Sequence, residues 1–203
     1  VSLHTLFKNA HQYKKLAGET ATQDVAILRV LLAITITVFY RYSADGTADN
    51  VLDYDEPEKV ILERWADYWE NGSFKWEIFY EYLEEYRERF YLFHPDTPFW
   101  QVANLEEGTD YGVINLYGNV KESNNKYSKH HFHMIDGEYI DSADYSEIVR
   151  WIIYNNAFSV NVKTKVNGEN RPTGVGRLGQ LGLIYVDANN LFEKIMLNLC
   201  ALN

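Results

Sequence analysis

Apolar residues recur at spacings of three and four over Val25, Leu28, Leu31, Leu32, Thr35, Ile36 and Phe39, with Arg29 on the other side. The pattern predicts an amphipathic helix, and Thr20 or Thr22 supplies the hydroxyl that caps its start. The apolar run 25–40 is only 16 residues long and carries Arg29. A bilayer crossing needs about 20 with few charges, so the run reads as a buried core helix and no membrane partner is expected. Residues 43–56 then form a polar linker, with Gly46 among Asp45, Asp49, Asp53 and Asp55.

Pro57 suits the first turn of a second helix, which runs through Val60, Ile61, Trp65, Tyr68 and Trp69 and stops at Asn71-Gly72. Over 74–93 the residues Trp76, Phe79, Tyr80, Leu83, Tyr86 and Phe90 keep helical spacing. Glu77, Glu81, Glu84, Glu85 and Glu88 lie between them as an outer face. Pro95 and Pro98 forbid continuation and predict a rigid turn flanked by aromatics. Residues 111–120 predict a short hairpin or irregular loop, and 123–134 carry no regular pattern. A fourth helix is expected over 143–157, with Asp144 and Glu147 at capping-box spacing and Ile148, Trp151, Ile152 and Asn155 on one face. Residues 180–186 look like a strand, and a fifth helix is expected over 190–202. The fold class is therefore α+β, a helix-dominated mixed domain with short strands and long loops, taken as one domain over 1–203.

Composition agrees with one globular domain: 203 residues, 46% hydrophobic and 15% aromatic. The single Cys200 excludes a disulfide framework and points to a reducing, cytoplasmic setting. No secretory pattern follows Val1. The missing initiator Met and the apolar last helix lead us to expect a longer polypeptide around this chain.

The net charge of −10 argues at first against nucleic acid, but its distribution matters more. Residues 1–43 carry +3, residues 44–120 carry −13 and residues 121–203 are neutral. Within the last part, Lys121, Lys126 and Lys129 face only Glu122, while Lys163, Lys165, Arg171 and Arg177 face only Glu169. Two locally basic loops beside an acidic middle fit phosphate contact by the loops, with the acids toward solvent or protein. Plain solvated loops fit as well.

Gly174-Val175-Gly176-Arg177-Leu178-Gly179 has the letters of the dinucleotide fingerprint but not its setting. A buried strand should precede it, a helix should begin within it, and an acid should follow about 20 residues on. The glycines with their flanking cations instead suit a loop that approaches nucleic acid closely, or a structural turn. His130, His131 and His133 with Lys126, Lys129, Tyr127 and Phe132 suit stacking and phosphate contact with single-stranded RNA. A metal site there would lack further ligands at suitable spacing. The outer-face glutamates offer no buried carboxylate pair for glycoside chemistry. No nucleophile elbow or P-loop occurs, so neither catalysis nor a cofactor is expected. An enzyme domain binding a nucleotide or glycan, through Gly174 to Gly179 or the Trp- and Glu-rich helices, is the alternative.

Several segments in order carry a resemblance: Ser2-Leu3-His4-Thr5-Leu6-Phe7, Phe99-Trp100-Gln101 after His94-Pro95, and Glu147-Ile148-Val149-Arg150-Trp151-Ile152. Gly176-Arg177-Leu178-Gly179-Gln180-Leu181-Gly182 and Asn190-Leu191-Phe192-Glu193 follow. Together they resemble the CasA family, large subunits of the type I-E CRISPR surveillance complex Cascade. The resemblance implies a non-catalytic subunit that sits at the 5′ end of the CRISPR RNA and reads the protospacer-adjacent motif in double-stranded target DNA. It implies contacts with other Cascade subunits and with the nuclease-helicase, while base pairing by the RNA reads sequence. Residues 126–134, with Lys126, Lys129, His130 and Phe132, correspond to the segment reaching the RNA handle. Residues 171–182, with Arg171, Gly174, Gly176, Arg177 and Gly179, correspond to the glycine-rich element that approaches the motif's minor groove. Lys163 and Lys165 join that set from charge alone. Some members have three consecutive glycines where this chain has Gly174-Val175-Gly176. The family's chains are more than twice as long, so this chain reads as the N-terminal domain without the terminal helical bundle.

Overall fold

A computed structural model of the chain describes residues 1–105, 113–117, 142–158, 163–166, 168–172, 174 and 176–199. The chain forms two compact units. One comprises Val1–Glu19, Leu28–Arg87 and Ile184–Asn203, and the other Thr20–Ile27 and Glu88–Leu183.

In the first unit, α1 (Leu3–Asn9) starts at Ser2, whose hydroxyl accepts the Thr5 N–H at 3.2 Å. It packs on α4 (Trp76–Glu85), with Phe7 stacked on Phe79 at 4.5 Å between ring centroids. The long α2 (Ala21–Arg41), which belongs to this unit from Leu28 onward, is capped by the Thr20 hydroxyl on the Gln23 N–H, one of the two threonines its spacing offers. Its 21 largely apolar residues would suffice to cross a membrane by length and composition. Leu28, Leu31, Ile34, Val38 and Phe39 are instead buried in the protein, which is the place of a core helix. α3 (Pro57–Asn71) ends as expected, on Gly72 at φ +70°, a conformation that favours glycine. Phe39 stacks on Tyr68 at 4.8 Å, and Phe74 meets Phe192 edge-on at 4.9 Å.

Arg64 is the one charged side chain buried among the described residues, 5% exposed. Burial of a guanidinium demands partners, and it has three: the Phe39 carbonyl at 2.6 Å, the Asp49 carbonyl at 3.1 Å and the Asp49 carboxylate at 2.6 Å. The linker 43–56 is thereby fixed to the helices. It is also more ordered than its composition suggests, with a 3₁₀ turn at Val51–Asp53 that buries Val51.

The third predicted helix is shorter than 74–93: α4 stops at Glu85 and a 3₁₀ turn follows at Arg87–Phe90. The Tyr42 hydroxyl donates to Glu85 at 2.8 Å and Arg41 bonds Tyr86, so tertiary bonds seize the residues where the helix tightens. Burial, then the Glu85 carboxylate, push the Tyr42 phenol up to about 12. The last predicted helix contracts likewise, to Leu191–Leu197. Asn190 caps its start, and the Asn198 side chain ends it by bonding the Lys194 carbonyl while pairing both backbone groups of Val186.

In the second unit, Tyr91 to Gln101 forms the expected rigid turn. The Phe99 N–H returns to the Tyr91 carbonyl at 3.0 Å, Gln101 donates to the Leu92 carbonyl at 2.6 Å, and His94 Nδ1 accepts from the Asp96 and Thr97 N–H groups. A 3₁₀ turn at Val113–Leu116 lies in the region predicted as hairpin or loop. α5 (Tyr145–Phe158) buries Trp151 against Tyr117, edge-on at 5.8 Å. Its first turn is closed by the Asp144 carbonyl, which accepts the Glu147 and Ile148 N–H groups. The strands are β1 (Lys163–Val166) and β2 (Glu169–Pro172), antiparallel, turning at Gly168 with φ +78°. α6 (Arg177–Leu181) follows and packs on α5. Residues 182–188 are not a strand, contrary to the expectation for 180–186: no partner strand offers itself among the described residues, and the backbone of Val186 is taken by Asn198. α7 (Leu191–Leu197) belongs to the first unit. The helix-dominated α+β expectation holds, with one small sheet among the described residues.

Candidate nucleic-acid interface

The DNA-side candidates fall on the β1–β2 hairpin, on Gly174 and Gly176, and on α6. The register pairs Lys163 with Pro172, Thr164 with Arg171, Lys165 with Asn170 and Val166 with Glu169. Lys163 and Lys165 therefore hold alternate positions of β1, and Arg171 stands across from the position between them. Three cationic residues thus lie within one four-residue ladder.

The two glycines that follow differ in their physics. Gly174 is exposed at φ +75°, and a Cβ there would meet nothing within 4 Å. Its constraint is conformational, because L side chains are costly in that region. At Gly176 a Cβ would lie 2.6 Å from the Phe158 nitrogen and closer still to the Ala157 carbonyl. Gly176 is therefore where the chain touches the C-terminal end of α5, and Leu178, buried two residues later, holds α6 to that helix. Arg177 and Gly179 are exposed on α6, and Arg177 makes no ion pair with other described residues.

A helix does begin inside the glycine motif, which the sequence pattern had denied. The dinucleotide setting fails for other reasons: the helix has five residues, and the strand before it is half of an antiparallel hairpin rather than a buried parallel strand. The RNA-side candidates Lys126, Lys129, His130 and Phe132 lie outside the described residues. No cluster of three or more metal-ligating side chains occurs among the described residues.

Sequence reasoning named Trp100 only within the resemblance and missed its geometry: it is a non-glycine residue at φ +56° and 45% exposed at the end of the proline turn. The signal was present, since Pro95 and Pro98 stiffen the chain ahead of it. Sequence reasoning also missed the hairpin, announced by Asn167-Gly168.

The family described as CRISPR-associated protein Cse1 matches residues 1–203. The chain belongs to the Cse1 family. A Thermus thermophilus CRISPR-associated protein CasA/Cse1 is 27% identical over 195 residues, covering 94% of this chain and 34% of that protein. The crystal structure of Thermobifida fusca Cse1 aligns with a TM-score of 0.73 at 26% identity, over 99% of this chain and 35% of that one. A chain of a CRISPR RNA-guided surveillance complex shares the fold, with a TM-score of 0.71 at 21% identity over 99% of this chain and 39% of that one. The chain thus spans about a third of the length of the Cse1 proteins it matches.

Proposed function

We propose that this chain acts as a non-catalytic part of a subunit of a CRISPR RNA-guided DNA surveillance complex. In this reading residues 126–134 contact the 5′ handle of the CRISPR RNA. The hairpin and glycine segment, Lys163 through Gly179, approach the protospacer-adjacent motif in duplex DNA. The assembled subunit helps recruit the nuclease-helicase. Membership of the Cse1 family supports the general role. One observation carries the DNA-side assignment: Gly174 is exposed, with open space where a side chain would stand, directly after a cationic ladder and directly before a glycine locked against α5. Such a junction offers cations and room for close approach to a phosphate surface from a fixed base.

The test is a gel-shift titration on a surveillance complex assembled with this subunit, at several salt concentrations. Changing Lys163, Lys165, Arg171 and Arg177 together to Ala is expected to weaken target DNA binding and flatten its salt dependence, by about 0.9 in log–log slope for each phosphate that is no longer neutralised. An unchanged slope removes these residues from the interface. On the RNA side, Phe132→Ala is expected to reduce retention in the complex while the fold persists by circular dichroism. Full retention overturns that assignment.

A further inference from the structure

We infer that α3 carries a docking surface for a protein segment with apolar anchors at helical spacing and lysines or arginines beside them. Leu62, Trp65, Ala66 and Trp69 recur at three- and four-residue steps and form one stripe along α3, away from its buried face of Ile61, Arg64 and Tyr68. Leu62 is 50% exposed and Trp69 37%, and Leu197 at the end of α7, next to the carbonyl that Trp65 contacts, is 41% exposed.

The stripe is rigid. Trp65 and Trp69 stack at 5.1 Å with 11° between their planes, and the Trp65 indole N–H is fixed on the Met196 carbonyl at 2.9 Å. The Trp69 indole N–H has no acceptor among the described residues and remains available to a partner. Ordered tryptophans at a surface supply large contact area with little ordering cost, which is why they recur as binding anchors.

Charge decides the occupant. Glu58, Glu63 and Glu70 are exposed on α3 and pair with no cation among the described residues. The nearest lysines on this stretch are already engaged, Lys59 with Glu56 at 3.6 Å and Lys75 with Asp67. An apolar stripe flanked by uncompensated carboxylates repels nucleic acid and anionic lipid. It also repels a second copy of itself, which would bring the same acids together. A segment with Lys or Arg flanking Leu, Ile or Phe answers both features. The inference goes beyond the nucleic-acid role proposed above and does not depend on it.

The test uses the 203-residue chain and a synthetic amphipathic helix of about five turns, leucines on one face and lysines on the other, followed by tryptophan fluorescence and calorimetry. A control peptide keeps the leucines and replaces every lysine with glutamate. The lysine peptide is expected to bind and the glutamate peptide to fail. Leu62→Asp and Trp69→Ala are each expected to weaken binding by at least about tenfold. Trp69 also meets Phe192 at 6.4 Å, so the half-exposed Leu62 variant keeps the test sound if Trp69→Ala loosens the fold. Glu63→Gln with Glu70→Gln is expected to cost about tenfold, whereas Glu77→Gln with Glu81→Gln, the same charge removed from α4, costs less than about twofold. Equal losses from the two double variants, equal binding of both peptides, or a dimer in sedimentation that protects Trp69 would each overturn the inference. No nucleic acid enters the assay, so its failure leaves the surveillance-complex role untouched.

Discussion

Gly174 and Gly176 lie two residues apart in one motif, and substituting each by Ala should separate their roles. At Gly176 the added methyl starts 2.6 Å from the Phe158 nitrogen, against an ordinary contact of 3.4 Å or more. The atoms it meets, of Ala157 and Phe158, are all backbone, so no side chain can swing away. The end of α5 and the start of α6 must part by at least about 0.8 Å, a forced insertion into a packed junction of the kind that costs about 1–3 kcal/mol or more. Partial loss of Leu178 burial adds to it. At Gly174 no atom of the described residues obstructs the methyl, and the cost is that of a left-handed L-residue, about 1–2 kcal/mol. Urea unfolding followed by circular dichroism gives both values. Gly176→Ala should be the more destabilising, with early loss of protection in α6 by hydrogen exchange. DNA binding at temperatures where both variants are folded should fall for Gly174→Ala as well. A Gly176→Ala protein within about 0.5 kcal/mol of the original would refute the close-approach argument, as would a larger loss at Gly174.

Arg64→Met removes the guanidinium from the buried Phe39 carbonyl and from the half-buried Asp49 carbonyl and carboxylate while keeping the stem, and a loss of about 3 kcal/mol in denaturant unfolding is expected because the Asp49 carboxylate keeps only the Tyr54 hydroxyl. Trp65→Phe keeps the stack on Trp69 but removes the indole donor from the Met196 carbonyl, which keeps only backbone N–H groups such as that of Leu199 at 3.4 Å, and about 1 kcal/mol should be lost in the same assay. Asp45 is held down to about 2, first by the Ser43 hydroxyl and then by the Thr47 backbone N–H. A depressed carboxylate contributes stability above its unfolded value and loses it as pH falls toward the folded one. Asp45→Asn should therefore be less stable than the original protein at pH 7, and the difference should close between about pH 4 and 2. A difference unchanged across that range would remove the turn's carboxylate as its cause.

Where local physics is self-sufficient, the sequence already contained the structure. Thr20 capping α2, Pro57 opening α3 and Gly72 closing it are decided by the residues themselves, and each stands where its pattern placed it. Errors arose where a distant group decides. Helix spacing runs on past Glu85, but Tyr42 and Arg41 take hold of Glu85 and Tyr86 there. Apolar density in 180–186 resembles a strand, yet strands require an edge to pair with, and the Val186 backbone finds a side chain instead. The hairpin at 163–172 was hidden for the opposite reason: Lys-Thr-Lys-Val and Glu-Asn-Arg-Pro lack apolar alternation, so only the Asn-Gly turn between them signals pairing.

The same distinction applies to the candidate site. Composition could group Lys163, Lys165, Arg171 and the glycines, but not say what holds them. In the structure, Gly176 admits the Ala157 carbonyl and Leu178 is buried, so α5 serves as the base from which Gly174 and Arg177 project. A loop anchored on one side loses less freedom when its exposed side meets a ligand. In the proposed interface the two glycines therefore divide the work: one lets the backbone approach its own scaffold, and the other would leave room for a surface from outside. That division explains why a spacing like that of a dinucleotide motif arises here without the parallel sheet that motif requires.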